Sequence, residues 1–200
     1  MAKCVTCGER KGNRFCPVVT GNICSLCCGT KRQKDVKCPP SCDYLTKGTE
    51  YQLDREITRK ISADLHTESE DVFQMEEVIP FVMSMERFFV DQFYHDRMVN
   101  DDHLHESLKK IYAFQSGKLP VLGAENRIEK VIFEKFHEVD RKANDLGGSL
   151  KARAILRIIK SIRSSTGGVL GNRNYIEMIY SQHTGKGRWA DLLEKLESNE

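Results

Sequence analysis

All eight cysteines of this 200-residue chain fall between Cys4 and Cys42. That stretch reads CVTCGERKGNRFCPVVTGNICSLCCGTKRQKDVKCPPSC, and it limits the fold more than anything after it. A piece of about 40 residues cannot bury enough apolar surface to fold alone. It needs a metal, disulfides or a partner surface. The rest of the chain is long enough to build its own core. The sequence therefore predicts a small module over residues 1–46 and a separate domain over 50–200.

The compartment decides between thiols and disulfides. The opening residues MAKCVTCGERKGNRFC contain no apolar h-region, so no signal peptide is expected. No stretch approaches the ~20 apolar residues of a membrane span. The expectation is a cytoplasmic protein without membrane association, where thiols stay reduced and clustered cysteines act as metal ligands. A disulfide framework is the competing reading, but such frameworks belong to secreted chains.

The spacing then assigns ligands. Cys4-Val-Thr-Cys7-Gly8 has the form of a zinc knuckle. Two intervening residues let both sulfurs face one ion, and the glycine permits the following left-handed turn. Cys24-Ser-Leu-Cys27 is a second knuckle, with Cys28 beside it. Cys16-Pro17 lies between the knuckles, and Cys38-Pro-Pro-Ser-Cys42 closes the series. Structural zinc takes four tetrahedral ligands, so eight cysteines suit two closed sites.

Adjacent residues rarely ligate one ion comfortably, which divides Cys27 from Cys28. The simplest grouping is Cys4, Cys7, Cys24 and Cys27 for one Zn2+, with Cys16, Cys28, Cys38 and Cys42 for the other. The sites then interleave along the chain as a cross-brace. Iron–sulfur ligation is the chemical rival, since four thiolates suit it too. Sites closed by four cysteines leave no position for water or substrate, so the expected zinc is structural.

Two knuckles, an intervening pair and a final ligand-x-x-x-Cys resemble HIT-type and related cross-brace, treble-clef zinc fingers. That resemblance implies that the first and third ligand pairs share one zinc and the second and fourth share the other. Cys38 and Cys42 match the final pair, with Cys38 where the HIT pattern has His, and Val19 stands where Cys16 would find its CxxC partner; Cys28 is the substitute. ICSLCCGTKR followed by CPPSCDYL also resembles the Cys-rich N-termini of uncharacterised bacterial proteins, a likeness that implies no activity. Both cover only about the first 45 residues.

Charge is uneven. Residues 1–47 carry nine Lys/Arg against Glu9, Asp35 and Asp43, a balance of +6 in a chain whose formal net charge is +2. Arg10, Lys11, Arg14, Lys31, Arg32 and Lys34 are candidate nucleic-acid contacts on this count. Two divalent ions on eight thiolates contribute about −4, which removes most of that excess.

From Tyr51 the chain reads as an α-helical bundle. Leu53, Ile57, Ile61 and Leu65 repeat at helical spacing after a linker over Tyr44–Thr49. A capping box at Thr67 and Glu70 opens the next helix, which runs to about Met98 and kinks near Pro80. Further helices are expected from Asn100 to Ser116, over Glu125–Asn144 and over Leu150–Arg163. A Gly-rich loop over Ser164–Asn172 leads to short helices at Tyr175–His183 and Arg188–Leu196.

The helix LKARAILRIIKSIR carries Arg153, Arg157 and Lys160 opposite an isoleucine face, and no acidic residue occurs from Leu146 to Ile176. It suits phosphate backbones, anionic lipid or an acidic partner, but the favoured reading is a core-packed helix whose solvated basic back faces the acidic run Asp64, Glu68, Glu70, Asp71, Glu76 and Glu77. Glu134-x-x-His137 has the spacing of a di-iron bundle ligand pair, and Asp91-x-x-x-His95 is an imperfect second half. His103-Leu-His105-Glu106 beside Asp101 and Asp102 looks metal-binding on paper, but i and i+2 do not share a helix face. Thr184-Gly185-Lys186-Gly187 lacks the first glycine and the final hydroxyl of a P-loop. No nucleophile constellation stands out and no small-molecule substrate is identified.

The fold expectation is therefore mainly α, a small two-zinc cross-brace module followed by a helical bundle. The functional expectation is a non-enzymatic zinc-binding interaction or adaptor protein whose partner is another protein. Nucleic-acid binding is the alternative.

Overall fold

The computed structural model describes residues 2–64, 72–167 and 169–185. These residues are mainly α-helical with one two-stranded sheet. They divide into two compact units, Met1–Glu56 and Ile57–Glu200.

In the first unit, β1 (Arg14–Cys16) pairs antiparallel with β2 (Gly21–Ile23), placing Phe15 opposite Asn22 and Cys16 opposite Gly21. Thr20 closes the connection with φ +51°. Helix α1 (Ser25–Lys31) follows at once, and the Cys24 sulfur accepts from the Cys27 amide at 3.3 Å as its N-cap. A turn closed by Gln33 at φ +56°, with its side chain donating to the Cys38 carbonyl at 3.2 Å, leads to α2 (Asp43–Asp64).

The expected linker over Tyr44–Thr49 is instead the start of α2. Thr46 and Thr49 return their hydroxyls to the carbonyls of Cys42, Leu45 and Thr46, so polar β-branched residues are satisfied inside the helix. Asp43 in the first turn favours the helix N-terminus.

The buried set of this unit is Cys4, Cys16, Ile23, Cys24, Cys27 and Cys28, with Cys7, Val19, Val36 and Tyr44 packed around it. One isoleucine among five thiols is not an ordinary hydrophobic core.

The second unit is ordinary. A 3-10 turn at Val72–Gln74 precedes α3 (Ile79–Phe93), α4 (Asp101–Gln115), α5 (Arg127–Lys142), α6 (Gly148–Thr166) and α7 (Asn174–Thr184). Pro80 does not kink a longer helix: α3 begins at Ile79, so the proline sits in the first turn, where its missing N–H is not needed. The expected capping box at Thr67 and Glu70, Leu65, and the helix at 188–196 lie outside the described residues.

Asn100 opens α4 reciprocally with His103, accepting from its amide and donating to its Nδ1 at 3.2 Å. Asn126 opens α5 by accepting from the Glu129 amide at 2.9 Å. Helix α6 runs three residues past the expected stop and ends at Gly167, φ +57°.

Helix α6 packs against α3, α4, α7 and the 3-10 turn. Its Ile155, Ile158, Ile159 and Ile162 are fully buried, each stabilising the bundle by about 1.5–3 kcal/mol. Phe81, Met85 and Phe89 of α3, Leu104 and Ile111 of α4, and Ile132 and Phe136 of α5 complete the core.

Polar groups fasten this bundle at its ends. The guanidinium of Arg173 donates to the carbonyls of Phe93 at 3.0 Å, Tyr94 at 2.7 Å and Asp96 at 2.7 Å, and also to Val99. It thereby satisfies the open C-terminal end of α3. Asp101, buried in α4, accepts from the amides of Tyr175 at 2.8 Å and Ile176 at 3.2 Å, capping α7 from another helix. Tyr175 donates its hydroxyl to buried Glu86 at 2.8 Å. No helix among the described residues is long and apolar enough to cross a membrane.

Candidate metal centre

Cys4, Cys7, Cys24 and Cys27 converge, their four sulfurs lying within 4.8 Å of one another. Two local devices bring them there. The Cys4–Cys7 turn closes when the Gly8 amide donates to the Cys4 carbonyl at 2.8 Å, with Gly8 at φ +68°. The Cys4 amide donates to Arg10 and the Val5 amide to Asn22, which lays the turn against β2. The Cys24–Cys27 pair is held by the first turn of α1.

The donor set fits a soft divalent ion. A tetrahedral tetrathiolate with bonds of about 2.3 Å has sulfurs about 3.8 Å apart, within reach of this cluster. Cys4, Cys24 and Cys27 are buried and Cys7 is half-buried. The Cys4 and Cys27 thiols hold their protons very unequally. Burial would raise the Cys4 thiol, but the amides of Cys24, Cys7 and Thr6 outweigh it and bring it down to about 6. The Cys24 thiol beside it, with burial, pushes Cys27 up to about 12. A bound cation replaces those protons and removes the conflict.

The remaining cysteines are set around a cavity in the same unit, whose walls include Cys16, Cys28, Cys38 and Cys42. Their sulfurs do not share the 4.8 Å closeness of the first four. Arg32 donates from Nη2 to the Cys28 sulfur at 3.8 Å. Sequence reading missed this role, although Arg32 follows Cys28 by one helical turn.

The basic residues proposed for nucleic acid are partly occupied. Arg14 lies over the Tyr44 ring at 4.9 Å, and Lys31 pairs with Asp35 at 3.8 Å. Arg10, Lys11 and Lys34 are exposed. On α6, Arg153 is exposed, while Arg157 and Lys160 are half-buried. Arg157 sits over the Phe73 ring at 4.7 Å and donates to Ser161 at 2.6 Å. Of the acidic run set against this helix in the sequence, Glu76 and Glu77 are exposed; Glu68, Glu70 and Asp71 lie outside the described residues.

Glu134 and His137 are both exposed on α5, and the His137 ring packs edge-on against Phe114. Among the described residues they join no carboxylate cluster. Asp102, His105 and Glu106 do lie close together on α4. His103, however, is committed to the α4 cap and Asp101 to the cap of α7. Lys186 and Gly187 lie outside the described residues.

Comparison with protein-family models, with curated proteins and with solved structures finds no match. The likeness to cross-brace fingers therefore stands on cysteine spacing alone. The four-cysteine cluster is a potential metal site by its own geometry.

Proposed function

We propose that the chain is a zinc-binding, non-enzymatic interaction protein, in which the metal organises the first unit into a platform for another protein. The observation that carries this reading is the cysteine core. A unit that buries five cysteines and Ile23 gains little from the hydrophobic effect, so ligation must supply its folding free energy. Four cysteines close the coordination sphere, which suits a structural ion and leaves no position for catalysis. Zinc is the metal that this thiolate set and knuckle spacing favour. A cross-brace or treble-clef arrangement and residence in the cytoplasm belong to the same reading.

The platform has apolar points to offer. Val5 is 60% exposed, Phe15 61%, Val18 46% and Leu26 51%, and each lies next to or between cysteines and their turns. Exposed aromatic and aliphatic side chains on a rigid frame are what a protein partner buries.

The test is affinity capture with the intact protein, before and after metal removal, alongside a Phe15→Ser variant. Partners retained only by the metal-loaded, unaltered protein support the reading. Capture indifferent to both changes overturns it. Filter binding of nucleic acid at low and high salt separates the alternative: salt-sensitive retention would move the function to nucleic acid.

A further inference from the structure

We propose that Cys16, Cys28, Cys38 and Cys42 form a second tetrathiolate metal centre, with Arg32 as the cationic group seated against it. It rests on the reading of the first unit as metal-organised, but it concerns a different set of atoms. Four separate pieces of chain deliver these cysteines to one cavity. Cys16 ends β1, Cys28 lies in α1, Cys38 follows the turn after α1, and Cys42 immediately precedes α2. Cys16 and Cys28 are buried, and Cys38 and Cys42 are half-buried. Cys27 lines the same cavity, yet its sulfur belongs to the first cluster, so the two neighbours in α1 serve different centres.

Charge supplies the second argument. Loading converts four thiols and one divalent cation into a complex of charge about −2, releasing four protons to solvent with no redox step. A partly buried dianion needs positive charge nearby. Arg32 provides it, with Nη2 3.8 Å from the Cys28 sulfur. The amino-terminal end of the 22-residue α2 lies next to Cys42 and adds the positive end of its dipole. Gly48 leaves room for the guanidinium where it lies: an added Cβ would fall 1.6 Å from Arg32 Nη1, and the arginine would have to shift.

The four sulfurs line one cavity but are not drawn together as the first four are. Cys38 turns its thiol to the Val36 carbonyl at 3.6 Å, a contact a protonated thiol makes and a metal-bound thiolate gives up. Rotation about the Cys38 side chain would release that sulfur from Val36, at a residue already on the cavity wall.

The experiment is a cobalt(II) titration of the reduced, full-length protein, read by thiolate-to-metal charge transfer and the visible bands of tetrahedral cobalt. Native mass spectrometry of the protein as purified gives an independent metal count. Two equivalents are expected for the unaltered chain. Cys38→Ser with Cys42→Ser should leave one, and Cys4→Ser with Cys7→Ser should leave the other. Arg32→Leu should weaken the equivalent lost in the Cys38/Cys42 variant by roughly tenfold or more, with Arg32→Lys intermediate. An unaltered chain that takes one equivalent, abolished by the Cys4/Cys7 change alone, overturns the second centre and leaves the first intact. A chain that takes no metal overturns both. A purified protein lighter by two protons and binding one ion would show a disulfide among the four, and would equally overturn it.

Discussion

Arg163 donates from Nε to Nε2 of His105 at 3.0 Å, and that bond fixes which nitrogen of the imidazole is an acceptor. Nδ1 then carries the proton and donates to Glu106 at 3.0 Å. Both ring nitrogens are committed, so the close grouping of Asp102, His105 and Glu106 is a fastening of α4 to α6. Arg163 also donates to Thr58 at 3.0 Å. Arg163→Met should lower the unfolding free energy by about 1–3 kcal/mol, because buried His105 loses its donor. A chemical-denaturation midpoint unchanged from the parent would refute this role.

Metal removal should be local in its first effect. The amides of Cys4, Gly8, Cys27 and Cys28 bond within the two knuckles, to Arg10, Cys4 and Cys24. On the proposed reading, in which ligation is the chief source of order there, chelation or Cys24→Ser should accelerate their hydrogen exchange by at least about tenfold. Retained protection in the metal-free protein would mean that the cysteine core holds without ligation.

Arg173 serves four carbonyls with one guanidinium, a geometry no other side chain reproduces. Arg173→Ala should cost about 2–4 kcal/mol, and Arg173→Lys should recover less than half, since an ammonium cannot reach all four. The comparison is Arg153→Ala on the exposed side of α6, expected to fall within about 0.5 kcal/mol of the parent. Equal midpoints for the two alanine variants would rule out the carbonyl-capping account.

His183 gives a pH dependence whose sign is testable. Burial, then the positive charge of Arg87, lowers its imidazole from 6.5 to about 4, against the opposing pull of Asp91. Glu86 is nearby, with Oε2 at 4.0 Å, but its other oxygen already accepts from Tyr175, and desolvation prevails. The unfolded chain therefore takes up this proton first. The contribution is intact above pH 6.5 and lost as pH falls towards 4, by about 3 kcal/mol in all. Glu106 and Glu138, both held near 2, add their own losses only below their ordinary value of 4.5. An imidazole NMR titration of His183 centred at 6.5 or above would show that Glu86 governs it instead.

The helical class was legible because apolar spacing survives any tertiary arrangement, as at Ile155, Ile158, Ile159 and Ile162. Boundaries were legible where the cap is local, as at Asn100 with His103. They were lost where the stabilising contact is remote or unusual. Thr46 and Thr49 look like linker residues until their hydroxyls are seen returning to the helix. Pro80 looks like a kink until α3 is seen to begin beside it. Asp101 lies in the first turn of its own helix, yet its carboxylate serves α7, more than 70 residues away. In the cysteine stretch, CxxC spacing is itself a distance constraint, so Cys4, Cys7, Cys24 and Cys27 could be grouped from sequence. The Arg32 contact could not, because a charged surface residue and a residue seated on a sulfur look alike in one dimension.

The seven residues of α1 also set how this stretch can change in length. Cys24 caps the helix, while Cys27 and Cys28 project from consecutive positions about 100° apart. One residue inserted between Cys24 and Cys27 would rotate the Cys27 and Cys28 sulfurs by that angle relative to Cys24. The connection over residues 117–126, between α4 and α5, carries no such angular constraint. Length variation among natural or designed versions of this chain should accumulate there and be purged from α1, so indel tolerance by itself would locate the part of the protein that the cysteines hold in register.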